Sequence, residues 1–334
     1  MKIARTTKRG MLIGTVLLLI AITSLASLLA GRVWLPPREF WNGLSGADDN
    51  LASQIIWQLR LPRLILALEV GAALGLSGAV LQGVTRNPLA EPGLLGVSAG
   101  AALGAVVAIY FGLAGHILSA APVFGLVGAL LASILTLALG RGGGTITLIL
   151  AGTAVTAFAG AGISLALNLS PSPYAAYEIM TWLMGSLADR TWLHVWLITP
   201  FLIVGAVLLF LTARALDALS LGEAQAQSLG VNLRSLYLLS VFGTAFAVGA
   251  STAVTGAIGF VGLIAPHLVR PFVGHQPSRV LIPAAFTGAL LLLGADIVIR
   301  LIRFGPEMKL GVFTSLLGTP FFFWLVVRLR KTAP

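Results

Sequence analysis

Residues 219–232 read Leu-Ser-Leu-Gly-Glu-Ala-Gln-Ala-Gln-Ser-Leu-Gly-Val-Asn, a polar stretch in a chain of 334 residues that is 57% hydrophobic and only 10% charged. Apolar runs flank it at 192–213 and 235–255. Each run reaches the roughly 20 residues that a helix needs to cross the core of a bilayer. A water-facing segment between two membrane spans predicts a polytopic helical membrane protein with a binding partner at this loop.

Ten apolar runs are predicted to span the membrane, and we expect residues 1–334 to form one transmembrane domain. The eighth run is too short to cross unless it is bent or sheltered by protein. Basic residues precede the first run, which also fits a signal peptide, but its length and the spans that follow favour a retained first span. Residues 171–191 are typical of a short interfacial helix. The predicted spans are 11–30, 61–83, 93–112, 116–139, 145–168, 192–213, 235–255, 257–270, 279–300 and 308–329.

The distribution of Lys and Arg predicts the orientation, because cytoplasmic loops are enriched in these residues. Both termini are basic, so we expect both in the cytoplasm, as an even number of spans allows. The net charge of +10 is therefore attributed to membrane topology and not to nucleic-acid binding. Four arginines oppose this rule, and they either anchor helix ends or form a positive outer rim for an acidic partner or an anionic substrate. These are Arg60, Arg63, Arg300 and Arg303.

The polar stretch has the pattern of a short helix with its own start and stop. Ser220 and Glu223 have the Ser-x-x-Glu spacing of a capping box. Gly230 suits the end of the helix, because glycine adopts the left-handed conformation readily. A helix lying on lipid headgroups would carry Lys and Arg on its polar face and larger apolar residues, and this stretch has neither. The sequence therefore predicts docking into a groove of another protein.

No catalytic or metal-binding constellation is visible in the sequence. Arg141-Gly-Gly-Gly-Thr145 lacks the Gly-Lys-Ser/Thr of a phosphate-binding loop. There is no cysteine, and no two of the four histidines have metal-ligand spacing on a helix. We therefore expect no enzyme activity, no metal site and an energy source in a partner protein. One alternative is a secondary transporter driven by an ion gradient, in which Glu69 and Asp296 would form the ion route.

Five motifs together resemble the permease subunit of the FecCD-type family of bacterial ABC importers for iron chelates, cobalamin and haem. The motifs are Arg60-Leu-Pro-Arg63, Asn87-Pro-Leu-Ala-Glu-Pro-Gly-Leu-Leu-Gly-Val-Ser98, Leu221-Gly-Glu223 with Leu229-Gly-Val231, Gly259-Phe-Val-Gly-Leu-Ile-Ala-Pro-His267 and Gly311-Val-Phe-Thr-Ser-Leu-Leu-Gly-Thr-Pro-Phe-Phe-Phe323. The resemblance covers nearly the whole chain. It implies an all-α fold of the type II importer permease, with ten spans per subunit and a homodimer in the bacterial inner membrane. It also implies two cytoplasmic ATPase subunits that hold ATP and Mg, a periplasmic binding protein, and no permanently bound cofactor.

The resemblance further implies roles for individual residues. Arginines that would dock the binding protein are Arg60, Arg63 and Arg300. Residues that would close the pore on the cytoplasmic side are Asn87, Leu89 and Thr145. The coupling segment, about 215–232, would sit in the ATPase through Ser220, Leu221, Gly222, Glu223, Leu229 and Gly230. The fifth and tenth spans would line the pathway. The chain departs from the family pattern at Glu69 and at Glu307-Met308-Lys309, where a lysine replaces a proline.

Haem is the predicted substrate, and a ferric siderophore or cobalamin is the alternative. Residues 170–177 and 184–192 resemble haem importers more than the other members of the family. Haem carries two carboxylates on a flat apolar ring, which suits a cationic entrance. The candidate entrance residues are Arg303, Lys309 and His194, and His194 is the candidate for contact with the haem iron.

Overall fold

The structure, a computed structural model, describes residues 2–31, 35–45, 51–302 and 307–332, and at 2–9, 37 and 329–332 it describes the backbone alone. All regular elements in these ranges are helical. Within them, eight helices are long and apolar enough to cross a membrane, and two shorter apolar helices complete the ten predicted spans. Spans 1 to 10 are Gly10–Leu29, Leu51–Val84, Val97–Tyr110, Ala120–Leu139, Gly144–Asn168, Trp192–Leu211, Leu233–Thr255, Val261–Val273, Pro277–Leu301 and Leu310–Arg328.

Shorter helices occupy the connections between the spans. The predicted interfacial helix is present as Pro173–Leu183. The connection between spans 6 and 7 forms two short helices, Ala213–Leu219 and Glu223–Ser228, and the second lies in the polar stretch. The remaining short helices are Pro37–Ser45, the 3-10 turn Pro92–Leu95, and Leu113–His116.

Span 2 begins at Leu51, earlier than the predicted start at 61. A π-helical segment, Ile55–Arg60, joins Leu51–Gln54 to the rest of the helix without a break. Pro62 follows this segment directly, and proline cannot donate to the carbonyl one turn back. The π-helical segment shifts the hydrogen-bond register just before the proline, so the helix continues through it. This extension places Arg60 inside a helix and not in a loop, on the same continuous helix as Arg63.

Spans 2 and 7 form the centre of the molecule, because they are the most buried of the long helices in the described ranges. Close packing around span 2 depends on glycine. A Cβ at Gly75 would overlap the carbonyl oxygen of Ala284 in span 9, and a Cβ at Gly78 would overlap that of Gly262 in span 8. Small residues of this kind allow helix backbones to touch. Such close packing stabilises helix association in a bilayer, where no hydrophobic driving force acts between the helices. The packing of span 2 against spans 8 and 9 is therefore determined by contacts between their backbones.

Spans 5 and 10 are mostly exposed in the single chain. Span 5 presents a small-residue face between 153 and 161, bordered by the exposed Leu150 and Phe158. Its small residues are Thr153, Ala154, Thr156, Ala157, Gly160 and Ala161. Span 10 exposes larger apolar side chains, among them Leu316, Leu317 and Phe323. Apolar surface of this extent is covered by lipid or by another protein.

The connections lie on two opposite faces, because successive spans alternate in direction. The Glu223 face carries residues 85–96, 140–143, 212–232 and 274–276. The Arg300 face carries residues 169–191, the end of span 1, the start of span 2 and the end of span 9. These two faces hold the candidate functional residues.

Candidate functional site

The coupling segment on the Glu223 face is built around two glycines. Gly222 has φ +114° and stands directly before the helix Glu223–Ser228. The predicted capping box is wrong, because the hydroxyl of Ser220 donates to the carbonyl of Asp217 and not to the helix. Gly222 takes the capping position without a side chain, which leaves the carboxylate of Glu223 available for other partners.

The predicted end of this helix at Gly230 is confirmed. Gly230 has φ +84°. Its N–H donates to the carbonyl of Gln227 at 2.9 Å, and the N–H of Val231 donates to that of Ala226 at 3.0 Å. This pair of bonds is a Schellman motif, which satisfies the last carbonyls of the helix. The exposed Leu221 and Leu229 lie on either side of the helix.

The carboxylate of Glu223 joins the coupling segment to spans 5 and 7. It accepts a 2.7 Å bond from the hydroxyl of Thr145 and a 3.2 Å bond from that of Tyr237. The N–H of Thr145 also points to it at 3.4 Å, and the two hydroxyls lie 3.1 Å apart. Glu223, Thr145 and Tyr237 are called the Glu223 cluster below. The bond from Thr145, the bond from Tyr237 and the charge of Arg86 all lower the pKa of Glu223, so it is ionised near neutral pH.

The other two predicted gate residues lie in the neighbouring loop. The N–H of Leu89 donates to the side chain of Asn87 at 2.9 Å, which closes a tight turn. Asn87 is exposed and Leu89 is half-buried. Arg86, at the start of this loop, has a positive φ of 50°. Thr145 is thus hydrogen-bonded to the coupling segment. The loop that holds Asn87 and Leu89 begins at Arg86, whose charge acts on Glu223 of that segment.

Two of the sequence motifs meet at Glu91. The side chain of Glu91 is half-buried, and it accepts a hydrogen bond from the backbone of Phe260. Phe260 has φ +67°, an unfavourable conformation for a residue other than glycine. Burial raises the pKa of Glu91, and the bond to Phe260 offsets part of that effect. This contact could not be predicted from the sequence, because the two motifs are far apart along the chain.

On the Arg300 face, two of the predicted docking arginines cap the end of span 1. Arg60 donates to the carbonyls of Leu28 and Leu29. Arg300 donates to the carbonyl of Ser27 at 2.9 Å and to that of Ala30 at 3.0 Å. The last carbonyls of a helix lack partners within it and carry a partial negative charge. Both guanidinium groups therefore stabilise the end of span 1, and both are buried.

The third docking arginine belongs to a buried ionic network. Asp296 is fully buried and contacts Arg63 at 2.8 Å and Arg300 at 2.9 Å. Arg63 also pairs with Glu307, whose side chain is 27% exposed. A depression of about 230 Å³ is lined by Arg60, Arg63, Arg300 and Glu307, among others. The structure thus brings the three predicted docking arginines together, whereas Arg303 lies outside the described residues.

The two remaining entrance residues, Lys309 and His194, lie in different environments. Lys309 lines a depression of about 270 Å³ on the Arg300 face, together with Tyr174, Tyr177 and Arg190. His194 is 3% exposed, and its Nδ1 accepts the N–H of Thr191 at 3.2 Å. This contact caps the start of span 6. His194 therefore has a structural role and lies away from the surface.

The two carboxylates within the spans do not share a route. Asp296 in span 9 is paired with Arg63 of span 2 and Arg300 of span 9, whereas Glu69 lies in an apolar groove of about 420 Å³ beside span 6. The hydroxyl of Thr199 lies 3.0 Å and 3.2 Å from the two oxygens of Glu69. The arrangement does not favour the ion-driven alternative, which needs connected carboxylates. No group of three potential metal ligands occurs among the residues that the structure describes.

Comparison with known proteins gives a consistent result over the whole chain. The model of the FecCD transport family matches residues 17–328. The vitamin B12 import system permease protein BtuC of Klebsiella pneumoniae is 42% identical over 327 residues, covering 96% of this chain and 95% of that protein. The hemin transport system permease protein HmuU of Yersinia pestis is 38% identical over 327 residues, with 96% of each covered.

Solved structures agree with the sequence comparison. An inward-facing, putative metal-chelate type ABC transporter superposes with a TM-score of 0.85 at 33% identity, covering 96% of this chain and 99% of that one. PsaBC from Streptococcus pneumoniae, in complex with Fab, has a TM-score of 0.53 at 17% identity, with 85% and 94% covered, and shares the fold alone.

Proposed function

The chain belongs to the FecCD transport family as an ABC importer permease, and we propose that it moves haem from a periplasmic binding protein into the cytoplasm. The observation that carries the cargo proposal is the depression lined by Tyr174, Tyr177 and Lys309. Membership of the family confirms the sequence-based prediction of an importer permease. The Glu223 face is the cytoplasmic face in this proposal, and both termini lie on that side.

Power is supplied by two ATPase subunits that bind ATP and Mg and receive the coupling segment. Leu221 and Leu229 are 62% and 65% exposed on this short segment, so both are available to a groove. The Glu223 cluster connects the segment directly to span 5. A movement of the segment is therefore transmitted to the first turn of the helix that we assign to the pathway.

Two copies of the chain form the transporter in this proposal. The small-residue face of span 5 and the apolar face of span 10 lack cover in the single chain. A groove of about 730 Å³ at the start of span 10, lined by Met184, Val312 and Leu316 among others, offers an apolar passage beside these faces. Cargo would pass between the two copies, and Asn87, Leu89 and Thr145 would close the cytoplasmic end.

Docking of the binding protein is assigned to the depression that holds Arg60, Arg63 and Arg300. These arginines already have partners within the chain, so an incoming carboxylate has to share or exchange them. Glu307 is the more exposed acid of the network, and among the residues that the structure describes it bonds Arg63 alone. A carboxylate of the binding protein would exchange with Glu307 for Arg63, while Asp296 keeps the network in place.

Haem fits the neighbouring depression by its chemistry. Tyr174 and Tyr177 are 76% and 65% exposed, and their rings can stack on a flat macrocycle. Tyrosine oxygen is also an established ligand of haem iron. Lys309 can pair with a haem carboxylate. Cobalamin is the second candidate, because the vitamin B12 permease BtuC is 42% identical to this chain.

The test is reconstitution of the chain with its ATPase and binding protein in liposomes. Uptake of haem, cobalamin and a ferric siderophore is measured with and without ATP. ATP-dependent uptake of haem alone is the expected result. Uptake of cobalamin or siderophore in place of haem would reject the cargo, and uptake that follows an ion gradient without ATP would reject the importer mechanism.

A further inference from the structure

A groove of about 620 Å³ on the Glu223 face borders the Glu223 cluster at one end, and the rest of its walls has no role in the transport cycle proposed above. It lies between the turn that joins spans 4 and 5 and the first turns of span 7. Its walls combine apolar and cationic groups at the ends of membrane spans. The leucines are Leu137, Leu148, Leu233 and Leu238, and the cations are Arg141 and Arg234.

The two arginines of this groove are available to a ligand. Both are exposed, and neither makes a hydrogen bond or ion pair with any residue in the described ranges. In contrast, Arg60, Arg63 and Arg300 on the other face are bonded to carbonyls or carboxylates. An unpaired guanidinium is a strong donor to phosphate.

Acidic groups do not cancel this charge. Glu223 lines one end of the groove, but its carboxylate already accepts bonds from Thr145 and Tyr237. The two arginines and this one carboxylate leave an excess of positive charge along the groove. An anionic ligand is therefore favoured.

The glycine-rich turn leaves room for a headgroup next to the arginines. Gly142 has φ +81°, and a Cβ built on it would meet nothing within 4 Å. The turn leads into the start of span 5, where the positive end of the helix dipole also favours an anion. The open space, the cations and the helix start thus coincide at one end of the leucine wall.

We propose that this groove binds one anionic phospholipid of the bilayer. Its phosphate lies between Arg141 and Arg234, and its acyl chains follow the leucines toward the membrane. A basic pocket between helix ends with an apolar continuation is the form in which membrane proteins hold such lipids. Free phosphate would use the arginines but not the leucine wall, of which Leu238 is 37% exposed.

The test uses the purified full-length chain in detergent and native mass spectrometry. Palmitoyl-oleoyl phosphatidylglycerol is titrated against phosphatidylcholine of the same chain length, and the bound lipid is counted.

Arg141→Gln and Arg234→Gln should each weaken retention of phosphatidylglycerol about fivefold, and together about 25-fold, the usual effect of basic side chains at an anionic surface. Arg141→Lys with Arg234→Lys should retain most of the preference, because the charge remains. Arg214→Gln is the matched control, since Arg214 is exposed on the same face but outside the groove.

Three results would overturn the proposal. Equal retention of the two lipids by the unmodified chain would exclude a headgroup site. Equal losses in Arg214→Gln and Arg141→Gln would show a general charge effect. Displacement of the lipid by equimolar glycerol 1-phosphate would show that a soluble phosphate is the ligand. Thermal unfolding in phosphatidylcholine separates misfolded variants from specific loss, and none of these measurements depends on transport.

Discussion

The hydroxyl of Thr145 donates a 2.7 Å hydrogen bond to the carboxylate of Glu223. Thr145 lies in the first turn of span 5, and Glu223 begins the helix of the coupling segment. This bond joins a residue assigned to the gate with a residue assigned to ATPase coupling. The two roles were predicted separately, and the geometry makes them parts of one contact.

We expect loss of the Glu223 cluster to uncouple ATP hydrolysis from transport. Thr145→Val and Tyr237→Phe each remove a hydroxyl donor, and Glu223→Met removes the acceptor, while each side chain keeps a similar size. Each should lower ATPase stimulation by the loaded binding protein about three- to tenfold, the range for one lost hydrogen bond. Stimulated ATPase activity and uptake per ATP are measured in liposomes.

The combination of these variants distinguishes a shared contact from separate structural effects. Thr145→Val with Glu223→Met should be no worse than the stronger single variant, because both remove the bond between Thr145 and Glu223. Gln225→Ala is the matched control, since Gln225 is exposed on the same helix. Fully additive losses, or full stimulation in all three single variants, would contradict a transmitting role.

The number of spans and the coupling segment were predictable from the sequence because apolar length and glycine position are local signals. Gly230 ends its helix as predicted. The capping box at Ser220 was wrong, because spacing alone cannot show that Thr145 and Tyr237, distant along the chain, compete for Glu223. The same limit applies to Arg60 and Arg300, whose charge suggested an exposed rim. In the structure they cap span 1, a contact that depends on how the spans pack.

Glu91 should make stability depend on pH. Burial raises its pKa above the ordinary 4.5, so the folded state holds the proton more tightly than the unfolded state. That contribution to stability is complete below about pH 4.5 and is lost as the pH rises through the folded pKa.

Glu91→Gln keeps an acceptor for Phe260 and removes the buried charge. Its thermal midpoint should exceed that of the unmodified chain at pH 8, and the difference should shrink at pH 4.5. The exposed Glu39→Gln serves as the control, and a difference independent of pH would contradict the argument.

Asp296 should be essential to the stability of the Arg300 face. Asp296→Asn leaves Arg63 and Arg300 without their buried counter-charge. Breaking a buried ion pair from one side costs about 3–5 kcal/mol. We expect a large drop in the thermal midpoint in detergent, whereas Asp189→Asn, at an exposed acid of the same face, should change it little. Equal midpoints for the two variants would show that the network contributes little.

The exposed tyrosines should matter for haem and not for ATPase function. Tyr174→Phe with Tyr177→Phe keeps both rings for stacking but removes both oxygens. If these oxygens contact the haem iron, uptake of haem should fall several-fold while stimulated ATPase activity is retained. Uptake of zinc protoporphyrin and of metal-free protoporphyrin is compared in the same liposomes. Unchanged haem uptake would remove the tyrosines from the entrance.

The pair of Arg63 and Glu307 provides the sharpest test of binding-protein docking. If a carboxylate of the binding protein exchanges with Glu307, then Glu307→Gln should strengthen docking, because the competing charge is gone. Arg63→Gln should weaken it, and both effects should fade at high salt, where electrostatic attraction is screened.

Affinity is measured by surface plasmon resonance on the transporter in nanodiscs at about 0.05 and 0.5 M salt. Glu39→Gln, an equal change of charge at another exposed site, controls for the overall field. Weaker docking in Glu307→Gln would mean that Glu307 holds Arg63 in position for the partner, and exchange would be rejected.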